Sequence, residues 1–313
     1  MEEARLGLWH RDVIHMLDIL SSSNYPDNEK LVALRLLREV LPNRQQEASI
    51  LNAIPILTPY LYQENTGLLL NTLAVFIIYV ITVPLAKSLI PDIPQLVKLL
   101  DSNNIVPIRR DSAHLLQIIA DFVGPDPAFL SDEVPQNIVN AVSFRDNNTQ
   151  FLLHSFGLLQ RICNSPVIRD PLINSPSFMQ ALVRGLSNST LRQESILLSS
   201  NLAMDPTHKA KIALVSNGVL NCLVPFLDSL DLDLRRSSLS LITLLSVCRE
   251  GKYHISTDQD LPFLIEQIAE SDNDELCRKA ADEIKKQVCE LPLGKAIMGK
   301  KMTFSRHNWD DNQ

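Results

Sequence analysis

Apolar residues along this chain fall into blocks of about ten, each closed by a short polar break, and the blocks return at a nearly fixed distance. Six of them are "AIPILTPYL" from Ala53, "DIPQLVKLL" from Asp92, "EVPQNIVNAV" from Glu133, "NSPSFMQALV" from Asn174, "GVLNCLVPFL" from Gly218 and "DLPFLIEQI" from Asp260. Their second or third residues, Pro55, Pro94, Pro135, Pro176, Leu220 and Pro262, are separated by 39, 41, 41, 44 and 42 residues. "DVIHMLDIL" from Asp12 extends the frame one step further, which makes seven occurrences at a period near 42. Proline suits the first turn of a helix, where its missing N–H has no partner to lose. The apolar positions that follow, such as Leu96, Val97, Leu99 and Leu100, have helical spacing. The breaks, "DSNN" from Asp101, "FRDNN" from Phe144, "LSNS" from Leu186, "LDSLDLD" from Leu227 and "ESDND" from Glu270, are rich in residues that cap helices and turn the backbone.

A longer helical pattern follows each break: "IRRDSAHLLQIIADFV", "TQFLLHSFGLLQRIC", "LRQESILLSSNLAM", "LRRSSLSLITLLSVC" and "LCRKAADEIKKQVC". No hairpin chemistry or strand-like alternation recurs. The pattern predicts an all-α chain of two to three helices per repeat, and periods of about 40–47 residues with this content belong to the armadillo and HEAT class. The expected architecture is a right-handed armadillo/HEAT-like α-solenoid of about six to seven repeats over residues 1–290. Residues 291–313 leave the pattern and are expected to form a flexible tail or a docking segment.

One block departs in length. From Asn65 to Ala86 the chain runs 22 residues without a charged side chain or histidine, and about 20 apolar residues suffice to cross a bilayer. The run nevertheless occupies the place of the long second helix of its repeat. Such a helix is packed by its neighbours and its own partner, so it can be apolar all round. Asn71, Thr72, Thr82 and Pro84 interrupt the run, and no flanking cluster of basic residues or tryptophans is present. A buried inner helix is expected, with no membrane partner.

The formal charge of −7 argues against nucleic acid as the main ligand, since that binding rests on neutralising phosphates. Five cysteines at wide spacing, with no CxxC pair, read as free thiols in a reduced cytoplasmic setting. The opening "MEEARLGLWHRDVIHML" lacks the features of a signal peptide. The seven histidines form no HExxH, and no GxSxG, GxxxxGK[ST] or GxGxxG occurs among only nine glycines. The expectation is a protein that is not an enzyme, with no catalytic residues, metal, cofactor or small-molecule substrate.

Across about residues 10–290 the chain resembles the armadillo-repeat family. "NAIPILTPYL", "PDIPQLVKLL" and "SNGVLNCLVPFL" are similar to its "GAIPxLVxLL" helix, and "LRQESILLSSNLAMDPTHKAKIALVSNGVL" is similar to a full repeat junction. Through "CREGKYHI" and "LCRKAADEIKKQV", the C-terminal half resembles the radial spoke head armadillo proteins of cilia. The resemblance implies a non-enzymatic protein-binding scaffold with a concave groove, and axonemal subunits as partners in a cilium or flagellum. Two departures stand out. Most repeats lack the glycine that bends the first helix into the second, which leaves room for HEAT-like packing. The family's import receptors also clamp peptides with a ladder of asparagines. Here Asn201 alone falls at such a place, and its counterparts read as Ile118, Gln160 and Leu245. The alternative reading, a transport or regulatory adaptor holding a cargo peptide, is disfavoured on that ground.

Candidate contact residues remain. Arg109 and Arg110, Arg192 beside Gln193, and Arg235 and Arg236 all open long helices. They either pair with the preceding acidic turn, as Asp231 and Asp233 beside Arg235, or form a stripe of guanidinium forks for an acidic partner segment. His114 and Asn201 lie on the same class of helix, and Phe304 and Trp309 would be the anchors if the tail were a docking segment instead of a flexible one.

Overall fold

The computed structural model describes residues 13–298 apart from 51, 132 and 144–147, and the side chains of 44–50 are also outside the described residues. Every regular element among the described residues is helical. In chain order they are α1 (Val13–Ser21), α2 (Asp27–Ile50), α3 (Ala53–Leu57), α4 (Thr66–Tyr79), α5 (Val83–Ser88), α6 (Ile93–Lys98), α7 (Val106–Val123), α8 (Val134–Ser143), α9 (Thr149–Ile162) and α10 (Pro166–Ile173). They continue as α11 (Pro176–Ser187), α12 (Arg192–Ala203), α13 (Lys209–Ser216), α14 (Val219–Leu223), α15 (Leu232–Leu245), α16 (Arg249–Thr257), α17 (Leu261–Ser271), α18 (Glu275–Val288) and α19 (Pro292–Met298). The proline-led blocks fall on α3, α6, α8, α11 and α17, and the Leu220 block falls on α14.

The chain divides into two compact units, Met1–Leu202 and Ala203–Gln313. In the first unit, α2, α4, α7 and α9 pack one on the next as a row of long helices. A second row runs through the 3-10 turn Thr58–Tyr62, then α6, α8 and α11. In the second unit α15 packs on α18, α17 on α18, α13 on α16 and α16 on α19. Stacking of like elements on like elements is the organisation of helical-repeat arrays.

The long helices are set by their caps. Side-chain oxygens of Asn65, Asn148, Asp231 and Asp274 accept N–H groups from the first turns of α4, α9, α15 and α18, and that of Asn188 accepts those of Thr190 and Leu191 in the turn leading into α12. These are donors with no partner inside the helix. In α7, Ile105 takes the same place without a side-chain cap. The six positions are separated by 40, 43, 40, 43 and 43 residues. Seven places after each one lies a small buried residue: Thr72, Ser112, Ser155, Ser195, Ser238 and Ala281. The reason is visible where α11 meets α12, because a Cβ on Gly185 would stand 2.2 Å from Ser195 Oγ. Phe156 lies beside the same contact, and Phe76, Phe129, Phe151 and Phe178 are likewise fully buried. The rings of Phe156 and Phe178 meet edge to face at 6.3 Å.

The uncharged run departs from the expected single helix. It is broken after α4, where Val80 leaves the helical region and Thr82 is extended, and Pro84 in the first turn of α5 fixes a new helix start. Fourteen residues of α4 span about 21 Å, short of the roughly 30 Å hydrocarbon core. Among the described residues no helix is long and apolar enough to cross a membrane. At the other end, residues 292–298 form α19, with Gly294 and Met298 buried. Trp309 and the rest of 299–313 lie outside the described residues.

Candidate protein-binding face

Four places past each cap, four of the six long helices carry an arginine: Arg109, Arg192, Arg235 and Arg278. Each turns back to a carbonyl at the end of the preceding short helix. Arg109 Nε donates to Leu100 O at 3.0 Å, and Arg192 Nε donates to Leu186 O at 3.3 Å. Arg235 Nη1 donates to Ser229 O at 2.6 Å, and Arg278 Nη1 to Asp272 O at 2.5 Å. Helix ends leave such carbonyls without partners, and a cation there also meets the negative end of the helix dipole. The remaining two long helices have buried Leu69 and Leu152 at this place. Arg109 is only 4 % exposed and lies 4.5 Å from the centre of the Phe151 ring. Burial draws its pKa below the usual arginine value.

The local pairing expected of Arg235 is replaced by one across repeats. Asp231 caps α15 instead, and Arg235 pairs with Asp272 at 3.1 Å, on the turn before α18. Arg236 makes a two-pronged contact with Asp274, Nε–Oδ1 3.1 Å and Nη2–Oδ2 2.6 Å, and stands 3.9 Å from Asp233. Asp274 is at the same time the cap of α18. Arg236 and the Cys277 N–H together hold its carboxyl well below the usual carboxylate range. Arg110 pairs with its neighbour Asp111 at 2.6 Å. The arginines that the sequence offered either as local pairs or as a stripe are engaged within the chain: Arg109, Arg192, Arg235 and Arg236 with carbonyls or carboxylates at the repeat junctions, and Arg110 with the adjacent Asp111.

Asn201 has a similar fate. Counted from the caps, it is thirteen places along, equivalent to Ile118, Arg161 and Leu244. Gln160 and Leu245, its counterparts from the sequence, are each one residue out of step, and Leu245 is fully buried. Asn201 Nδ2 donates to Gln160 O at 2.8 Å, so its amide joins α12 to α9. Gln160 Nε2 in turn reaches both the backbone and the carboxylate of Glu194. His114 on α7 stacks on His154 of α9, with ring centroids 4.0 Å apart. Arg161 pairs with Asp121 at 2.6 Å.

Beside these engaged polar groups, the long helices also carry exposed apolar side chains. In the second unit Leu276 on α18 is 58 % exposed, and Val247, in the turn after α15, is 42 % exposed. Between α15 and α18 a cleft of about 380 Å³ is lined by Leu239, Leu244, Leu276, Cys277 and Ala280 together with the polar Arg236, Ser240 and Thr243. In the first unit Leu197 and Phe122 are exposed on α12 and α7. The sequence carried no clean signal for this place, since Leu276 shares the first turn of α18 with Cys277, which is buried. All five cysteines are free thiols, and burial pushes the Cys163 thiol up to about 12. Among the described residues no group of three or more His, Cys, Asp or Glu is arranged to hold a metal ion.

The arrangement belongs to the class of all-helical arrays of the α-solenoid kind. No family model and no curated protein matches the chain. A crystal structure described as an engineered protein is similar to it with a TM-score of 0.71, over 92% of this chain and 71% of that one, at 17% identity. At that identity the likeness shows the fold alone.

Proposed function

We propose that this chain is a non-enzymatic scaffold of the armadillo/HEAT kind that binds other proteins through the outer side of its long helices. One observation carries the reading. The junction arginines are engaged within the chain, whereas Leu239, Leu244 and Leu276 on α15 and α18 present apolar surface in a cleft. Exposed apolar surface gathered about a concavity marks contact sites more than scattered leucines do. An acidic partner segment is not needed by this reading, since the arginines already have carboxylates and carbonyls.

The test is a pair of substitutions, Leu276→Asp and Val247→Asp, at positions exposed enough to leave the fold intact. Thermal unfolding should stay within about 0.5 kcal/mol of wild type, while proteins that co-purify with the native chain are lost. Retention of every partner by the folded double variant would sink the proposal. The resemblance of "CREGKYHI" and "LCRKAADEIKKQV" supports an axonemal radial spoke as the setting, and co-sedimentation with axonemes tests it. A peptide-clamping adaptor is supported less, because the Asn201 amide is engaged with Gln160 O.

A further inference from the structure

We propose that His114 and His154 form an acid-sensitive clasp between α7 and α9, closed while both imidazoles are neutral and opened when they take up protons. The rings lie 4.0 Å apart, 14° from parallel, so a second positive charge would be placed directly against the first. The stack is one of three rungs between the helices. In the next, Gln117 fills the space over Gly157, where an added Cβ would stand 2.5 Å from Gln117 Nε2. Its Oε1 lies 3.0 Å from His154 Nδ1, which fits a neutral ring that donates from Nδ1. In the third, Asp121 pairs with Arg161 at 2.6 Å.

The surrounding charges do not offset a proton on the rings. Asp111 favours a proton on both rings and Asp121 favours one on His114, but the first is held by Arg110 and the second by Arg161. Arg110 itself opposes protonation of both histidines. On the far side of α7, α4 carries no titratable group except Tyr79, and Lys87 of α5 and Lys98 of α6 are not among the charges acting on the rings. On α12, Glu194 is engaged by Gln160. Partial burial lowers both histidines, and His154 falls to about 4, with the neighbouring His114 as second cause. Folded rings bind protons less readily than the unfolded chain. The associated stability is thus complete above the unfolded value of about 6.5 and is lost as the pH falls toward 4.

Phenylalanine can keep the stack without the proton, so His114→Phe and His154→Phe separate packing from charge. In the full-length wild type, NMR titration of the imidazole C–H signals should show two steps, both below 6.5. Between pH 7 and 4.5 the unfolding equilibrium should shift roughly tenfold more in wild type than in either variant, after allowing for solvent screening at the partly buried rings. Amide exchange along α7 and α9 should accelerate over the same interval. His114→Phe carries the test if His154→Phe, which also loses Gln117, does not fold. Two independent titrations near 6.5, or phenylalanine variants with the full wild-type pH slope, would overturn the clasp. Its effect on partner binding rests on the contact-face reading, but these measurements need no partner.

Discussion

Replacing Arg235 by alanine separates a junction arginine from a partner-binding one. The side chain is 18% exposed and makes two kinds of contact, one with Ser229 O at 2.6 Å and one with the Asp272 carboxylate at 3.1 Å. A hydrogen bond involving a charged group contributes about 1.5–3 kcal/mol, and a partner left behind in a poorly solvated place adds its own cost. Asp272, 9% exposed, keeps one donor, the Asp274 N–H at 2.8 Å, which limits that second cost. The expected loss is about 2–3 kcal/mol. Arg110→Ala is the control. Its side chain is 43% exposed and its one pair is with the adjacent Asp111, so about 0.5 kcal/mol is expected. Urea unfolding followed by far-UV circular dichroism gives both numbers. Because the two units can unfold separately, amide exchange over residues 232–245 and 275–288 shows which transition has moved. If Arg235→Ala matched Arg110→Ala in stability while a partner was lost, the guanidinium would belong to a binding stripe, and the junction reading would fail.

Two further substitutions probe the same junctions. Asp274 caps α18 and receives Arg236, and its folded pKa is depressed. Its stabilising effect is therefore present above the unfolded value near 4 and lost as the pH falls through the lower folded value. Asp274→Ala should lower the melting temperature at pH 7 and flatten the acid limb of a plot of melting temperature against pH; an unchanged acid limb would exclude that role. Gly251→Ala should cost about 2–3 kcal/mol, because its Cβ would stand 2.0 Å from the Leu245 carbonyl oxygen, a backbone atom that cannot swing aside. Gly124→Ala has open space and only an unfavourable positive φ, so a loss of about 1 kcal/mol is expected there, with urea midpoints again the measure.

The period was legible because local chemistry repeats with it. Prolines 94, 135, 176 and 262 mark first turns, and Asn65, Asn148, Asn188, Asp231 and Asp274 can be found as caps by residue type alone. Apolar content was a poorer guide to helix ends. Asn65–Ala86 reads as one block, yet backbone geometry at Val80 and Thr82 divides it, since a greasy stretch buried on all sides looks the same whether or not it bends. Contacts between repeats were harder still. Arg235 with Asp272, Asn201 with Gln160 and His114 with His154 join residues 37–41 positions apart, and which ones meet depends on helix rotation to within one residue. A one-residue error moves Leu244, on the outer face, to Leu245, in the core. Counting from caps instead of from hydrophobic blocks removes that error. It brings Arg109, Arg192, Arg235 and Arg278 to one place, and Thr72, Ser112, Ser155, Ser195, Ser238 and Ala281 to another. A cap fixes the phase of the helix behind it, whereas an apolar block fixes only that a helix is present. The arginines thus acquire their junction role from phase, while Leu276 of α18, which neither cap nor junction requires, stays exposed.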